Sequence, residues 1–234
     1  MLYIVPTPIG NLQDITLRSL DALKAADFIF CEDTRQTSKL IVEYGLSARL
    51  VRYNENDASS IARCVALLKE GKTCALVSDA GTPCISDPGW RLVKEARLND
   101  IKITALPGAS ALTTALSGAG VSGGGFTFLG FTARKQGKIV KLLTAAFALG
   151  KPVIIYESPY RIIKFLQIVK DNFGPDIKVI LARELTKTFE EWLSGTVGEV
   201  IDNLTARKKI LGEFVVILDA RGQDEEDEPQ SEDL

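Results

Sequence analysis

Leu76-Val77-Ser78-Asp79-Ala80-Gly81-Thr82-Pro83-Cys84-Ile85-Ser86-Asp87-Pro88-Gly89 decides the fold class. An apolar strand runs into a loop of small and turn residues. A helix follows, with Asp87 its expected N-cap and Pro88 its first position. Such a loop leaves backbone N–H and C=O groups uncrowded at the carboxyl end of a strand. That is where open α/β sheets bind small ligands. An ordinary tight turn between strand and helix has the same local composition, so the rest of the chain must arbitrate.

Outward from this loop, strand-like and helix-like patterns alternate. Leu2–Val5, Phe28–Cys31, Leu50–Tyr53, Cys74–Val77 and Ile101–Ala105 are short apolar runs. Between and after them, Asp14–Ala25, Thr34–Tyr44, Ile61–Lys69, Pro88–Leu98 and Ala109–Ser117 carry helical spacing. This rhythm predicts a largely parallel sheet with helices on both faces. Residues 118–125 hold five glycines in eight positions, which places a linker between a first domain over 1–117 and a second over 126–221. In the second block, Ser158-Pro159 is expected to cap a helix running to Asn172, and the later strands are close enough to pair antiparallel. The fold class is α/β, in two α/β domains.

Composition narrows the chemistry. The 234 residues include no histidine, which removes His-based triads, His general bases and His metal ligands. The four cysteines have no C-x-x-C spacing, so buried reduced thiols of a cytosolic protein are expected, and no metal. No apolar run reaches the ~18 residues of a membrane span, and Met1–Pro6 lacks the basic start of a secretory signal. Net charge is −2, yet seven acids and no base fall within Asp224–Asp233, so the remainder carries +5. A mildly basic body suits a polyanionic partner. Residues 222–234 are a disordered acidic tail, for which a solubilising terminus is the plainest account.

Two more loops resemble the first in kind. Pro6-Thr7-Pro8-Ile9-Gly10-Asn11-Leu12 follows the first strand, and Leu106-Pro107-Gly108-Ala109-Ser110-Ala111 follows the fifth. Neither is a dinucleotide fingerprint or a P-loop. Three such loops after strands of one sheet are expected to converge at one edge, around one ligand.

With these motifs the chain resembles the tetrapyrrole methylase superfamily of S-adenosylmethionine-dependent methyltransferases. Within it, the similarity is to the branch that methylates a cytidine ribose 2′-hydroxyl in 16S ribosomal RNA. Besides the three loops, it is carried by Asp14-Ile15-Thr16, Glu32-Asp33-Thr34-Arg35, Phe128-Leu129-Gly130-Phe131, Tyr156-Glu157-Ser158-Pro159 with Arg161, and Arg183-Glu184-Leu185-Thr186-Lys187, over roughly residues 1–220. The resemblance implies a cofactor cleft between the two domains, a homodimer, S-adenosylmethionine as cofactor, 16S rRNA within the small subunit as partner, and a cytoplasmic location. It implies cofactor contacts from Pro8, Ile9, Gly10, Asp79, Gly81, Thr82, Ser110 and Ala111, with Phe131 and Tyr156 as walls. Methylation of a porphyrin-like ring, or a non-catalytic cofactor-binding module, remain the alternatives.

Methyl transfer from sulfonium to oxygen needs alignment and loss of a proton from a weak acid, so a nearby base or cation is sought. Glu157, Lys187 and Arg35 are the catalytic candidates. Glu32, Asp33, Arg161, Arg183, Arg134 and Lys135 are the candidates for substrate contact. Each has a structural counterpart. Asp33 or Thr34 can cap a helix, Arg183, Glu184 and Lys187 can form a surface ion-pair network, and residues 133–138 can be a solvated helix entry. Ser158 is a cap rather than a nucleophile, since its triad partners are missing.

Overall fold

Five short parallel strands make the first sheet: β1 (Leu2–Ile4), β2 (Phe28–Cys31), β3 (Arg49–Arg52), β4 (Cys74–Leu76) and β5 (Ile103–Ala105), in the order β3-β2-β4-β1-β5. The structure is a computed structural model describing residues 1–121 and 124–220. Parallel neighbours need long crossovers, and each is a helix: α1 (Leu17–Ala25), α2 (Thr34–Glu43), α3 (Ala58–Lys69) and α4 (Trp90–Leu98).

Alternation along the strands sorts the helices onto two faces. Leu2, Ile4, Phe30 and Leu76 pack with Val65 and Leu68 of α3 and with Leu92 and Ala96 of α4. Ile29, Cys31 and Ala75 point the other way, onto Ala22 and Leu23 of α1 and Leu40 and Ile41 of α2. The central strands are apolar on both faces because both are covered. Cys31, Cys64 and Cys74 are buried and Cys84 is half-buried, all four unbridged.

The chain leaves β1 toward β2 on one side, and leaves β4 toward β5 on the other. The β1 and β4 crossovers therefore diverge, opening a switch point at the carboxyl ends of these adjacent strands.

The second sheet comprises β6 (Thr127–Phe131), β7 (Val153–Glu157), β8 (Lys178–Arg183), β9 (Glu191–Thr196) and β10 (Phe214–Asp219), in the order β6-β7-β10-β8-β9. Only β6 and β7 are parallel; β7–β10, β10–β8 and β8–β9 are antiparallel, as the close spacing of the later strands suggested. All six residues of β10 are buried at the centre of this sheet. α6 (Gln136–Phe147), α7 (Ile162–Phe173) and α8 (Val197–Thr205) cover one face, packing Leu143, Phe165, Val169 and Leu204 onto Ile155, Leu181 and Val216.

Contacts divide the chain into a first unit, Met1–Ala111, and a second from Leu112 onward. The division falls ahead of the glycine-rich stretch, and nearly all of α5 (Ala111–Gly118) joins the second unit. Two contacts account for that. The Leu112 N–H donates to Tyr156 Oη at 2.9 Å. A Cβ at Gly118 would lie 2.8 Å from the Trp192 ring, so the helix packs closely there. Residues 122, 123 and the acidic tail lie outside the described residues.

Two expected helix caps are replaced by other residues. α4 begins at Trp90, with Gly89 rather than Asp87 as N-cap at φ +136. A Cβ at Gly89 would come within 2.8 Å of Cys84 Sγ and Leu76 Cδ2, and the Gly89 N–H is taken by Glu55 Oε2 at 2.5 Å. Only glycine suits that conformation. α7 begins at Ile162, with Arg161 rather than Ser158 at its N-cap, because the Ser158 carbonyl first closes a turn by accepting from both Arg161 and Ile162 N–H groups. Replacing Phe165, 1% exposed in the second core, by Ala is expected to destabilise the protein by roughly 3–5 kcal/mol, read as a lower denaturant midpoint.

Candidate functional site

The β1 loop and the β4 loop are bound backbone to backbone. The Thr7 N–H donates to the Gly81 carbonyl at 2.9 Å, and the Gly81 N–H donates back to Thr7 at 3.0 Å. Thr7, 2% exposed, also donates its hydroxyl to the Ser78 carbonyl at 3.2 Å, and Ser78 Oγ donates to the Gly81 carbonyl at 3.2 Å. The β5 loop joins through Thr82 Oγ1, which donates to the Ala109 carbonyl at 2.9 Å. Two glycines permit this closeness. At Gly81, φ +83, a Cβ would sit 3.2 Å from Ile9 Cγ2, and at Gly108 one would sit 2.6 Å from Pro6 Cβ.

The predicted convergence of three loops is thus present within the first unit. It brings Pro8–Gly10, Asp79, Gly81, Thr82, Ser110 and Ala111 to one sheet edge. A cavity of about 390 Å³ opens beside the first two loops, lined by Thr7, Pro8, Ile9, Gly10, Ser78, Asp79 and Ala80, and by Gln36, Thr37, Leu40 and Glu43 of α2; Gly81, Thr82, Ser110 and Ala111 are not part of its lining. Sequence reasoning missed the α2 wall, since nothing in helical spacing says which turn faces a ligand. It also missed Thr7 and Ser78 as stitches; two hydroxyls flanking small-residue loops were the available signal. Tyr44 Oη, donating to the Leu12 carbonyl, ties α2 to the β1 loop. A larger groove of about 670 Å³ between α3 and α4 contains none of the predicted loop residues. Size alone does not identify a site; convergent backbone does.

The loop after β2 brings acids to the same edge. Asp33 caps α2, accepting from the Arg35 N–H at 2.8 Å. Arg35 Nη2 lies 2.6 Å from Asp33 Oδ2 with its side chain 86% exposed. Hydrogen bonds from the Arg35 side chain and backbone hold the Asp33 carboxyl at about 2. Asp87 is the reverse case: burial first, then the charges of Glu32 and Asp79, push its carboxyl up to about 6. Cys84 and Ser86, on the same loop, hold positive φ angles of 71° and 60°.

In the second unit, Phe131 pairs in register with Tyr156 across β6 and β7, their ring centroids 5.5 Å apart. An irregularity between Phe128 and Gly130, with Gly130 at φ +61, sets how the strand end is aimed. Phe131 is 63% exposed. Tyr156 also meets Phe128 edge-on at 5.0 Å, besides accepting from Leu112.

Glu157 is 2% exposed and both its oxygens are engaged. Oε1 accepts from the Ser158 N–H at 2.8 Å, and Oε2 lies 3.3 Å from both Thr132 Oγ1 and Arg161 Nη2. Arg161 donates onward to the carbonyls of Thr132 and Ala133. This is the geometry of a clamp on the loop leaving β6; a carboxylate so enclosed is not presented to a substrate hydroxyl. Arg183 pairs with Glu191 rather than with Glu184, and Arg207 grips the same Glu191 through both oxygens. Lys187 contacts Glu184 at 2.9 Å and Glu213 at 3.1 Å. Burial works against its charge, but the hydrogen bonds it donates to these two carboxylates outweigh burial and raise its pKa. It is therefore a held cation, not a free amine base. Arg134 and Lys135 are exposed ahead of α6.

Comparison with known proteins adds a family. The profile described as "Tetrapyrrole (Corrin/Porphyrin) Methylases" matches residues 1–201. A protein of Hydrogenobaculum sp. (strain Y04AAS1) named ribosomal RNA small subunit methyltransferase I is 43% identical over 219 residues, 93% of this chain and 94% of that one. A protein of the same name from Bacillus subtilis (strain 168) is 42% identical over 98% of this chain and 78% of its own length. Among solved structures, a cobalt precorrin-4 methyltransferase superposes with TM-score 0.68 at 16% identity, covering 92% of this chain and 93% of that one. A diphthine synthase gives 0.69 at 16%, covering 93% and 89%. At that identity the structures establish the shared fold alone.

The site electrostatics give a signed prediction. Asp87 has a folded pKa above its unfolded value, so its ionised form is disfavoured by folding at neutral pH. Asp87→Asn should therefore raise the melting temperature at pH 7–8. The advantage should shrink as pH falls through about 6, where folded Asp87 protonates, and vanish near 4, the unfolded value. Thermal melts of both proteins across that range measure it.

Proposed function

The chain belongs to the tetrapyrrole methylase family, and from that premise we propose that it transfers the methyl group of S-adenosylmethionine to the ribose 2′-hydroxyl of a cytidine in the decoding region of 16S ribosomal RNA. The observation that carries this is the 43% identity over nearly the full length of a relative named a ribosomal RNA small subunit methyltransferase. The porphyrin-ring methylases match the fold at far lower identity, which favours the RNA acceptor.

The residues present suit the cofactor. The β1 and β4 loops line open space, Gly108 stands where a Cβ would collide with Pro6, and Gly81 holds a positive φ with room for little more than its hydrogen beside Ile9. Pro8–Gly10, Asp79, Gly81, Thr82, Ser110 and Ala111 of the first unit would hold it; in the second unit, Phe131 and Tyr156 form an aromatic pair of their own. When bound, it supplies the electrophilic methyl group. An edge carrying Glu32, Asp79 and Asp87 suits a cationic sulfonium.

The chain's own work is to hold the acceptor in line and ease loss of its proton. Lys187, kept protonated by Glu184 and Glu213, offers a fixed cation for charge growing on the 2′-oxygen. Arg35 reaches into solvent from a capped helix start, placed for a phosphate contact. We assign Glu157 and Arg161 to positioning rather than proton transfer. Glu32, Asp33 and Arg183 remain candidates for the substrate rim. The proposed substrate is the assembled small subunit, because a short hairpin presents few phosphates to a body of modest charge. We place the protein in the cytoplasm as a homodimer. No helix among the described residues is long and apolar enough to cross a membrane.

Transfer of labelled methyl to small subunits from cells lacking this protein, followed by nuclease mapping, tests the reading. Label on one cytidine ribose is the expected result. Label on a porphyrinoid ring instead, or cofactor binding without turnover on either acceptor, would replace it. Lys187→Met should lower kcat by roughly 10²-fold or more with cofactor affinity intact. Glu157→Gln should lower stability by about 1–3 kcal/mol while leaving the pH dependence of kcat unchanged; a changed pH profile would return Glu157 to the role of base.

A further inference from the structure

We propose that the exposed start of α6, from Arg134 and Lys135 just ahead of the helix to Lys138 and Lys141 on its first turns, is a surface that grips phosphates of the RNA substrate. The inference rests on the ribosomal RNA reading above and extends it from the site to the docking surface.

The first argument is charge. The sequence has no Asp or Glu anywhere from Ile101 to Tyr156. Within that span, four cations fall in eight residues at the start of α6, and all four are exposed. The opposite side of the helix is apolar and buried through Ile139, Leu143 and Ala146. The basic side therefore faces solvent and has no second packing duty.

The second argument is contrast within the same unit. Four other cations at strand and helix ends are paired: Arg161 with Glu157, Lys187 with Glu184 and Glu213, and Arg183 and Arg207 with Glu191. None of the ion pairs among the described residues involves the four α6 cations. Lys135, Lys138 and Lys141 also follow one another at a spacing of three, where like charges repel and weaken a helix. An unneutralised and locally unfavourable arrangement calls for an anion from outside, and a phosphate backbone supplies a row of them.

The third argument is rigidity. Arg161, held by buried Glu157, donates to the Thr132 and Ala133 carbonyls, the two residues just before Arg134. The basic helix is thereby launched from a fixed point, and less freedom is lost on binding than with a mobile basic arm. Gly137, in the first turn of α6, has open space where a Cβ would be, so nothing crowds the approach to this turn.

The test uses the full-length protein and unmethylated small subunits. Binding and methyl transfer are measured from low to high potassium chloride for wild type, Arg134→Ala/Lys135→Ala, Lys138→Ala/Lys141→Ala, and a control of equal charge change elsewhere, Lys69→Ala/Lys94→Ala. Each α6 variant should reduce the slope of log affinity against log salt by roughly 1.5, about 0.7–0.9 per lost phosphate contact. KM for subunits should rise while kcat at saturation, cofactor affinity and melting temperature hold. The control should keep the wild-type slope. α6 variants indistinguishable from the control would overturn the proposal while leaving the RNA reading intact. A wild type that neither binds nor methylates small subunits would overturn both, and is told apart because it fails before any substitution is made.

Discussion

The pair of backbone hydrogen bonds between Thr7 and Gly81 is the constraint on which the candidate site depends. It forms where the crossovers from β1 and β4 part to opposite faces of the sheet, so two loops that would otherwise splay are held together. The buried Thr7 hydroxyl and the Thr82–Ala109 bond extend the stitch to the third loop. Gly108 is required by closeness, since a Cβ there would collide with Pro6, and Gly81 by its φ of +83 beside Ile9. Loops bound by main chain in this way present a fixed edge with little left to order when a ligand arrives.

The second unit solves a related problem with charge instead of backbone. Its sheet edge carries the Phe131–Tyr156 pair, and the chain must turn out of β6 beside it. A buried carboxylate, Glu157, holds Arg161, and Arg161 holds the carbonyls of that turn. Burying a charge is tolerable only when it is paired and hydrogen-bonded, and here each oxygen of Glu157 has a partner. The same clamp sets the end of β6 and the beginning of α6.

Charge is sorted between the two units. Glu32, Asp79 and Asp87 gather at the first sheet edge, where burial first and the two neighbouring charges second raise the Asp87 pKa. That edge suits a cationic ligand. The start of α6 is uniformly basic and suits a polyanion. A methyl transfer from a sulfonium to a nucleic acid requires both kinds of surface, and the overall charge of −2 conceals that division.

Much of this was legible in the linear sequence. Alternating apolar runs and helical spacing predicted the parallel sheet, because a strand buried on both faces must read as a continuous apolar run, as Phe28–Cys31 and Cys74–Leu76 do. The small-residue loops announced themselves because glycine and proline act locally on φ. Motif order carried the family resemblance for the same reason: it is a property of the string. Other features depend on partners distant in sequence and were decided only by tertiary structure. Gly89 displaced Asp87 as the cap of α4 because Leu76, Cys84 and Glu55 surround it. Glu157 read as an available carboxylate, and became a clamp because β6 and β7 bring Thr132 beside it while Arg161 turns back. Lys187 is a held cation because Glu213, 26 residues away, arrives just ahead of β10. Sequence determined which backbone each segment prefers; folding decided which side chains are spent on one another, since burial and pairing exist only after distant strands meet.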